Sequence, residues 1–225
     1  MKHHRTTARA LAALLAYPDA ALRAAAPDIA QALRGEAALP KPRLAELDAL
    51  CAQLRSMDPF ELEARYVETF DRGRSTALHL FEHVHGDSRE RGPAMVDLLQ
   101  TYERAGLRLD GRELPDHLAV VLEFVSTQPP REARAFLGEV THIVQKIFSA
   151  LLERGSPYAA VIGAVLELAG ERAERVPVAA DEPIDEAWAE PPAFDGCSTR
   201  GQARPDAPQP IQIVRKSHAR EGVRA

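Results

Sequence analysis

Aromatic side chains are scarce in this 225-residue chain, because tryptophan, tyrosine and phenylalanine together make up only 5% of it. Hydrophobic residues nevertheless reach 45%, so a sizeable core can be buried if it is built mainly from leucine, valine, isoleucine and alanine. The excess of alanine and leucine over β-branched residues favours helices. The length allows one domain of ordinary size, with or without an extension.

The sequence also has few cysteines, no long apolar run and no net positive charge. The two cysteines, Cys51 and Cys197, stand far apart, which indicates reduced thiols in a cytoplasmic protein. No apolar run approaches the roughly 20 residues that a membrane-spanning helix needs, so we predict no direct membrane insertion. The formal net charge is -5, and no basic stripe with interleaved aromatics is present, so nucleic-acid binding is excluded.

The N-terminus superficially resembles a secretion signal, because the basic residues 2–5 precede a run of alanine and leucine. Arg9 interrupts this run, and Pro18 soon ends it. Leu11, Leu14 and Leu15 also fit one face of a helix. We therefore interpret this segment as a first core helix.

Apolar residues recur at helical spacing as far as residue 174, and no alternating strand pattern or Asn-Gly hairpin signal occurs. The sequence predicts an all-α fold, a single bundle of about eight helices. The predicted helices span 7–16, 19–33, 42–55, 59–70, 75–86, 88–105, a segment opening at Pro115, a long segment after Pro130, and 158–174.

The clearest helix start signal in the sequence is that of the fourth helix. Asp58 is a suitable N-cap, Pro59 suits the first helical position, and Glu61 completes a pattern that resembles a capping box. Pro93 fits less well in the sixth helix, so we expect that helix to start later than Ser88.

The composition changes at Pro177, since residues 177–225 hold seven prolines and only scattered large apolar side chains. We predict an all-helical domain over 1–176 and an extended or disordered tail over 177–225. Two interpretations of the tail remain open. It is a solvated extension, or Trp188, Phe194 and residues 211–214 dock on the body or on a partner.

The stretch His79-Leu80-Phe81-Glu82-His83 matches the H-x-x-E-H pattern of one class of zinc peptidases. Two histidines four positions apart on a helix share a face and can hold Zn²⁺, while the glutamate polarises a metal-bound water. A catalytic zinc needs a third protein ligand, and nothing downstream marks one. A zinc-dependent hydrolase is therefore the alternative interpretation, and histidines on a helix surface are the favoured one.

Other signatures of enzymes are missing from the sequence. No nucleophile elbow, P-loop or dinucleotide-binding glycine pattern occurs, and Cys51 lies in an apolar helical context typical of an inert thiol. We therefore predict no catalytic residue, no cofactor and no bound metal.

Two blocks of sequence are more specific than a generic helical pattern. The first runs RYVETFDR (65–72), continues as STALHLFEHVHG (75–86) and closes with AMVDLL (94–99). The second is ELPDHL (113–118), followed by LEF (122–124). Together they closely resemble the NarJ-type nitrate reductase molybdenum cofactor assembly chaperones, within the wider TorD/DmsD family of redox-enzyme chaperones.

This resemblance implies a helical, system-specific chaperone that is not an enzyme. Such a protein binds the N-terminal segment of the respiratory nitrate reductase catalytic subunit and keeps that subunit competent for molybdenum cofactor insertion. It works alongside the cofactor-insertion machinery and delays docking of the client on its membrane subunit. A helical adaptor with an unrelated partner is a further alternative.

A client helix laid into a groove needs apolar anchors and a few charges at the rim. The predicted anchors are Tyr66, Phe70, Leu80, Phe81, Met95, Leu99 and Phe124. The predicted rim carboxylates, which would receive arginines of the client's leader, are Glu68, Asp71, Glu82, Asp116 and Glu123. His83, His85 and His117 complete the set, because imidazole changes charge near physiological pH and can tune release. For each of these residues the plainer interpretation is a core side chain, a solvated face or a local hydrogen bond.

Overall fold

The computed structural model of the chain describes residues 4–86, 88–111 and 113–178. Regular structure in this part consists of nine α-helices, one short 3-10 turn at Arg74–Thr76 and one isolated bridge, without strands. This confirms the predicted all-α bundle. The helices are α1 Arg5–Leu14, α2 Ala20–Glu36, α3 Lys41–Ser56, α4 Pro59–Phe70, α5 Glu82–His85, α6 Arg91–Arg104, α7 Leu118–Thr127, α8 Pro130–Glu153 and α9 Ala159–Ala169.

The centre of the bundle is formed by α1 and α9. Ten of the eleven residues of α9 are buried, so this helix is apolar around its whole circumference, as expected of a helix enclosed by others. It packs against α8, α3 and α1, while α1 also packs against α7 and α2. Leu11, Leu14 and Leu15 are completely buried, which confirms the predicted first core helix.

Local capping chemistry sets several helix boundaries. Asp58 caps α4 as predicted, since its carboxylate accepts a hydrogen bond from the Glu61 N–H at 3.1 Å. The start of α6 at Arg91 places Pro93 in the first helical turn, where its missing N–H removes no helical bond, and this confirms the expected late start. The last helix is shorter than predicted, because Gly170 adopts a left-handed conformation (φ 86°) directly after Ala169.

The N-terminus of α1 is capped by a residue distant in sequence. The N–H groups of Thr6 and Thr7 donate to the Glu36 carboxylate at 3.1 and 2.6 Å. Burial alone raises the pKa of Glu36, but the hydrogen bonds from Thr7 and Thr6 outweigh it, so the pKa of this carboxyl is lowered. An anion at this position also complements the helix dipole. Glu36 therefore ties the end of α2 to the start of α1.

Among the described helices, α8 alone is long and apolar enough to cross a membrane by length and composition. Its apolar side, with Leu137, Val144 and Ile147, is buried, and the helix packs against α9. A core helix of a water-soluble bundle passes the same test, so this feature is weak support for a membrane span.

Most of the predicted tail lies outside the described residues. Only Pro177 and Val178 of the stretch 177–225 are described. Cys197, Trp188, Phe194 and residues 211–214 fall outside, and the two interpretations of the tail stay predictions.

Candidate functional site

The segment between α4 and α6 is not the single helix that the sequence predicted from Ser75 to Gly86. The 3-10 turn is followed by an extended stretch around His79, and only the four-residue α5 is helical. Gly86, with φ 51°, ends α5 and is the one boundary of this prediction that holds. The prediction was wrong because the backbone of residues 78–80 pairs with a distant segment instead of with its own next turn.

That distant segment precedes α7. His79 and His117 form an antiparallel bridge, in which Leu80 N–H donates to Asp116 O at 3.1 Å and Leu118 N–H donates to Leu78 O at 2.9 Å. The prediction that Pro115 opens a helix was also wrong, because α7 begins at Leu118. His117 is its N-cap and accepts the Ala119 N–H through Nδ1 at 3.3 Å.

Asp116 is the polar centre of this arrangement and is completely buried. Its Oδ2 accepts the Phe81 N–H at 2.9 Å, and its Oδ1 faces Nδ1 of His79 at 3.4 Å. The hydrogen bond to Asp116 raises the pKa of His79, although burial works in the opposite direction. We call Asp116, His79, Phe81 and the bridge between residues 78–80 and 116–118 the Asp116 lock.

Two further contacts surround the Asp116 lock. The Tyr102 hydroxyl at the end of α6 donates to Pro115 O at 2.7 Å. The imidazole rings of His79 and His117 meet edge to face, with their centroids 5.0 Å apart. Burial is the main reason that the pKa of His117 is lowered. The two histidines therefore sit side by side in environments that shift their pKa values in opposite directions.

This geometry removes the basis of the zinc hydrolase alternative. His79 lies in the bridge rather than on α5, so it does not share a helix face with His83. His83 donates through Nε2 to Ala77 O at 2.9 Å, and Glu82 forms an ion pair with Arg91 at 3.7 Å. The three residues of the H-x-x-E-H pattern are thus engaged in separate local contacts, and the hydrolase alternative has no support.

Four predicted anchors belong to the hydrophobic core, and three of them lie on α4 or in the bridge. Tyr66, Phe70 and Leu80 are all buried. The rings of Tyr66 and Phe70 pack on each other and on Tyr158 with centroids 4.9–5.9 Å apart, and the Tyr66 hydroxyl donates to Leu15 O at 2.8 Å. In this conformation these side chains hold the scaffold and offer hardly any surface to a client.

Phe81, Met95 and Leu99, by contrast, are only half-buried. They lie on or next to α5 and α6, and α6 buries only Tyr102 along its 14 residues. Val84 and Val96 are each 53% exposed in the same two helices, and the Phe81 ring contacts the His85 ring at 5.6 Å between centroids. We call this set the α5–α6 surface: Phe81, Val84, His85, Met95, Val96 and Leu99. The two valines were not among the predicted anchors, because they look like core positions in a helical pattern.

The remaining predicted residues lie elsewhere in the bundle. Glu123 and Phe124 line a cavity of about 260 Å³, whose other walls include Arg5 and Arg9 of α1 and Arg108 of the α6–α7 loop. Phe124 itself is buried between the rings of Tyr102 and Phe136. The arginines around Glu123 make this cavity a poor receptor for a cationic leader.

The carboxylates at the end of α4 form a third location. Glu68 is paired with Arg72 at 3.0 Å, and Asp71 is exposed at the C-cap of α4. Glu68 also lines a cavity of about 510 Å³ next to Tyr158. The structure thus joins the segment of Leu80 and Phe81 to Asp116 and His117 through hydrogen bonds, whereas Glu68 pairs with Arg72 and Glu123 lines a different cavity.

Comparison with known proteins identifies relatives of this chain. A family model described as "Nitrate reductase delta subunit" matches residues 16–162. NarJ of Escherichia coli strain K12, named a nitrate reductase molybdenum cofactor assembly chaperone, is 44% identical over 176 residues, which cover 77% of this chain and 75% of that protein. The Bacillus subtilis (strain 168) protein named "Probable nitrate reductase molybdenum cofactor assembly chaperone NarJ" is 34% identical over 160 residues, or 71% of this chain and 86% of that protein.

A solved structure supports the same fold. The crystal structure of a protein from Archaeoglobus fulgidus, described as a redox enzyme maturation protein, superposes with a TM-score of 0.53. The match covers 76% of this chain and 96% of that chain at 20% sequence identity. At this identity the likeness shows the fold alone.

Proposed function

Because the chain belongs to the nitrate reductase delta subunit family, we propose that it is a chaperone for the molybdenum-containing catalytic subunit of a respiratory nitrate reductase. It binds the N-terminal segment of that subunit, keeps the subunit open for cofactor insertion and delays its docking on the membrane subunit. The names of the relatives, which are nitrate reductase assembly chaperones, support the class of client. The resemblance of residues 65–99 and 113–124 to the NarJ-type chaperones supports the mode of action.

The observation that carries the proposal is the α5–α6 surface. A 14-residue helix in a compact bundle ordinarily buries an apolar stripe, but α6 buries only Tyr102. Leu99 is a neighbour of both Met95 and Val96 on this helix, since it lies four and three positions after them, and all three side chains remain at least partly exposed. Exposed apolar side chains that a helix leaves uncovered are typical of interaction sites, and a client segment would cover them.

Glu82 is the carboxylate best placed to bind a positive charge on the client. Its ion pair with Arg91 is long, at 3.7 Å, and both side chains keep part of their surface in solvent. A guanidinium of the client leader could replace this loose pair with a shorter, bidentate one. Asp97, which follows Val96 in sequence, is a second exposed acid on α6.

The buried residues of the predicted set act as supports in this proposal. The Asp116 lock fixes the backbone of Phe81, and His117 starts α7 behind it. Tyr66 and Phe70 brace α4 against the core. The function proposed for these side chains is positioning, because a client cannot reach a completely buried carboxylate such as Asp116 without rearrangement.

We further propose that the protein makes and breaks no covalent bond and acts in the cytoplasm. The relatives are named as chaperones, which supports the first statement. Two cysteines far apart in sequence, one of them buried in α3, are typical of a reducing compartment and support the second.

Calorimetric titration with a peptide tests the proposal. The peptide carries about the first 15 residues of the nitrate reductase catalytic subunit, and we expect one-to-one binding with micromolar affinity, about 8 kcal/mol. Phe81→Ala and Met95→Ala should each weaken binding about tenfold, since a truncated anchor typically costs more than 1 kcal/mol. The matched control is Phe60→Ala, which removes a phenylalanine that is 81% exposed on α4 and should leave the affinity unchanged.

Two further variants test which carboxylate binds the positive charge of the client leader. Glu82→Gln should weaken binding if the leader reaches α5, whereas Asp71→Ala should do so if it lies at the end of α4. The absence of both heat and chemical-shift change on adding the peptide would overturn the proposed client. Equal losses in Phe81→Ala and Phe60→Ala would overturn the α5–α6 surface as the binding site.

A further inference from the structure

We propose that His79, Glu113 and His117 form a binding site for a divalent transition-metal ion such as Zn²⁺. One potential ligand atom from each of these residues lies within 4.8 Å of the other two. His79 is far from the other two residues in sequence, and the backbone bridge between His79 and His117 brings them together. This inference replaces the sequence-based prediction of no bound metal, and it is independent of the proposed chaperone function.

The donor set selects the class of ion. Two imidazole nitrogens and one carboxylate oxygen suit Zn²⁺, Co²⁺ or Ni²⁺, whereas Ca²⁺ and Mg²⁺ prefer sites made of oxygen alone. A tetrahedral zinc with bonds of about 2.0–2.2 Å holds its ligand atoms about 3.4 Å apart. The distances between the ligand atoms must therefore shorten by up to about 1.4 Å, and the exposed side chain of Glu113 can approach the two imidazoles through its own torsions. Three protein ligands leave a fourth position for water.

The surroundings of His79 are those of a metal-binding histidine. Its Nδ1 faces Oδ1 of Asp116 at 3.4 Å, and Asp116 is completely buried. A histidine that donates one ring N–H to a carboxylate is fixed in the tautomer whose other nitrogen carries a free lone pair. His79 therefore presents Nε2 as its ligand atom. The same carboxylate also accepts the Phe81 N–H, so its own orientation is fixed.

His117 limits the strength of the site. Its Nδ1 now accepts the Ala119 N–H at 3.3 Å, so the neutral ring carries its proton on Nε2. Binding a metal through Nε2 moves that proton to Nδ1 and gives up this long hydrogen bond. We therefore expect micromolar affinity for zinc, well below that of a preformed structural site.

Zinc titration of the full chain, produced without a histidine tag, tests the site. We expect one Zn²⁺ per chain with a micromolar dissociation constant in calorimetry or in competition with a chromophoric chelator. Glu113→Gln should weaken binding at least tenfold, and because Glu113 is exposed this variant does not disturb the Asp116 lock. His79→Asn should weaken it similarly.

The controls separate this site from adventitious binding by other histidines. Glu82→Gln changes the glutamate of the linear H-x-x-E-H pattern, and His85→Asn removes a nearby surface histidine, and both variants should bind zinc like the parent protein. A His3→Asn/His4→Asn double variant should do so as well. Wild-type affinity in Glu113→Gln, or loss of binding in any control, would show that the ion does not bind at His79, Glu113 and His117.

Discussion

Replacing Asp116 by alanine tests whether its carboxylate joins residues 78–81 to the start of α7. In the native protein this side chain has no exposed surface, and it accepts the Phe81 N–H at 2.9 Å. Alanine leaves that N–H without a partner and also removes the contact to His79. The backbone hydrogen bonds of the bridge remain, so the substitution isolates the contribution of the side chain.

The magnitude follows from the two contacts. A hydrogen bond to a charged group contributes about 1.5–3 kcal/mol when its loss leaves a buried donor unpaired, and the Phe81 contact is of this kind. The His79 contact is longer, at 3.4 Å, and partly solvated, so it adds about 0.5 kcal/mol. We expect Asp116→Ala to lower the free energy of unfolding by about 2–3.5 kcal/mol.

Asparagine provides the matched variant. Its amide oxygen can still accept the Phe81 N–H, but without charge, and a neutral hydrogen bond is roughly half as strong as a charge-assisted one. We expect Asp116→Asn to cost about 1 kcal/mol. Asp97→Ala, which removes an exposed acid from α6, should stay within about 0.5 kcal/mol of the parent protein.

Urea unfolding followed by circular dichroism measures these differences. With a denaturant slope of about 2 kcal/mol per molar urea, Asp116→Ala should lower the midpoint by about 1–1.75 M and Asp116→Asn by about 0.5 M. A midpoint for Asp116→Ala that matches Asp97→Ala would refute the assignment of a buried, bonded carboxylate. Because Asp116 is unreachable from solvent, Asp116→Asn should change client affinity less than about threefold.

Three other predictions concern the core, a long-range cap and the α5–α6 surface. Burial, with a smaller effect of Asp48, raises the pKa of Cys51 to about 11. In a Cys197→Ser variant at pH 8, the Cys51 thiol of the folded protein should therefore react with a thiol reagent about 100 times more slowly than the same thiol in urea. The pKa of Glu36 is lowered on folding, so its stabilising effect over Glu36→Gln should be present at pH 7 and disappear as the pH falls through the titration of Glu36, as measured by urea midpoints. Leu122→Ala in the core should cost about 2–5 kcal/mol, whereas Val96→Ala should cost less than about 0.5 kcal/mol and yet weaken binding of the client peptide.

Much of the helical framework was predictable because helix ends and helix faces depend on near neighbours. Asp58 and Pro59 marked the start of α4, and Pro93 placed the start of α6 close to where it lies. The spacing of Leu137, Val144 and Ile147 predicted α8. The prediction ran too far at the C-terminal end of the last helix, where the left-handed Gly170 ends α9.

The candidate site was less predictable, since helical spacing cannot tell which apolar face another element covers. Tyr66 and Met95 fit helical patterns equally well. Tyr66 on α4 nevertheless packs in an aromatic cluster, whereas α6, which carries Met95, is left partly uncovered. Likewise, the neighbouring sequence does not distinguish Asp116, which is completely buried, from Asp71, which is exposed to solvent. Assigning both as rim carboxylates was a consequence of this ambiguity.

The amino-acid sequence by itself determined that the described chain is a helical bundle, because helix formation and capping act over four residues or fewer. Only the tertiary structure decided what happens between residues 75 and 86, where pairing with residues 116–118 outcompetes the local helix. It also decided that His79 stands beside His117 and Glu113 rather than beside His83. Each of these outcomes depends on partners distant along the chain, whose approach is set by packing of the whole bundle.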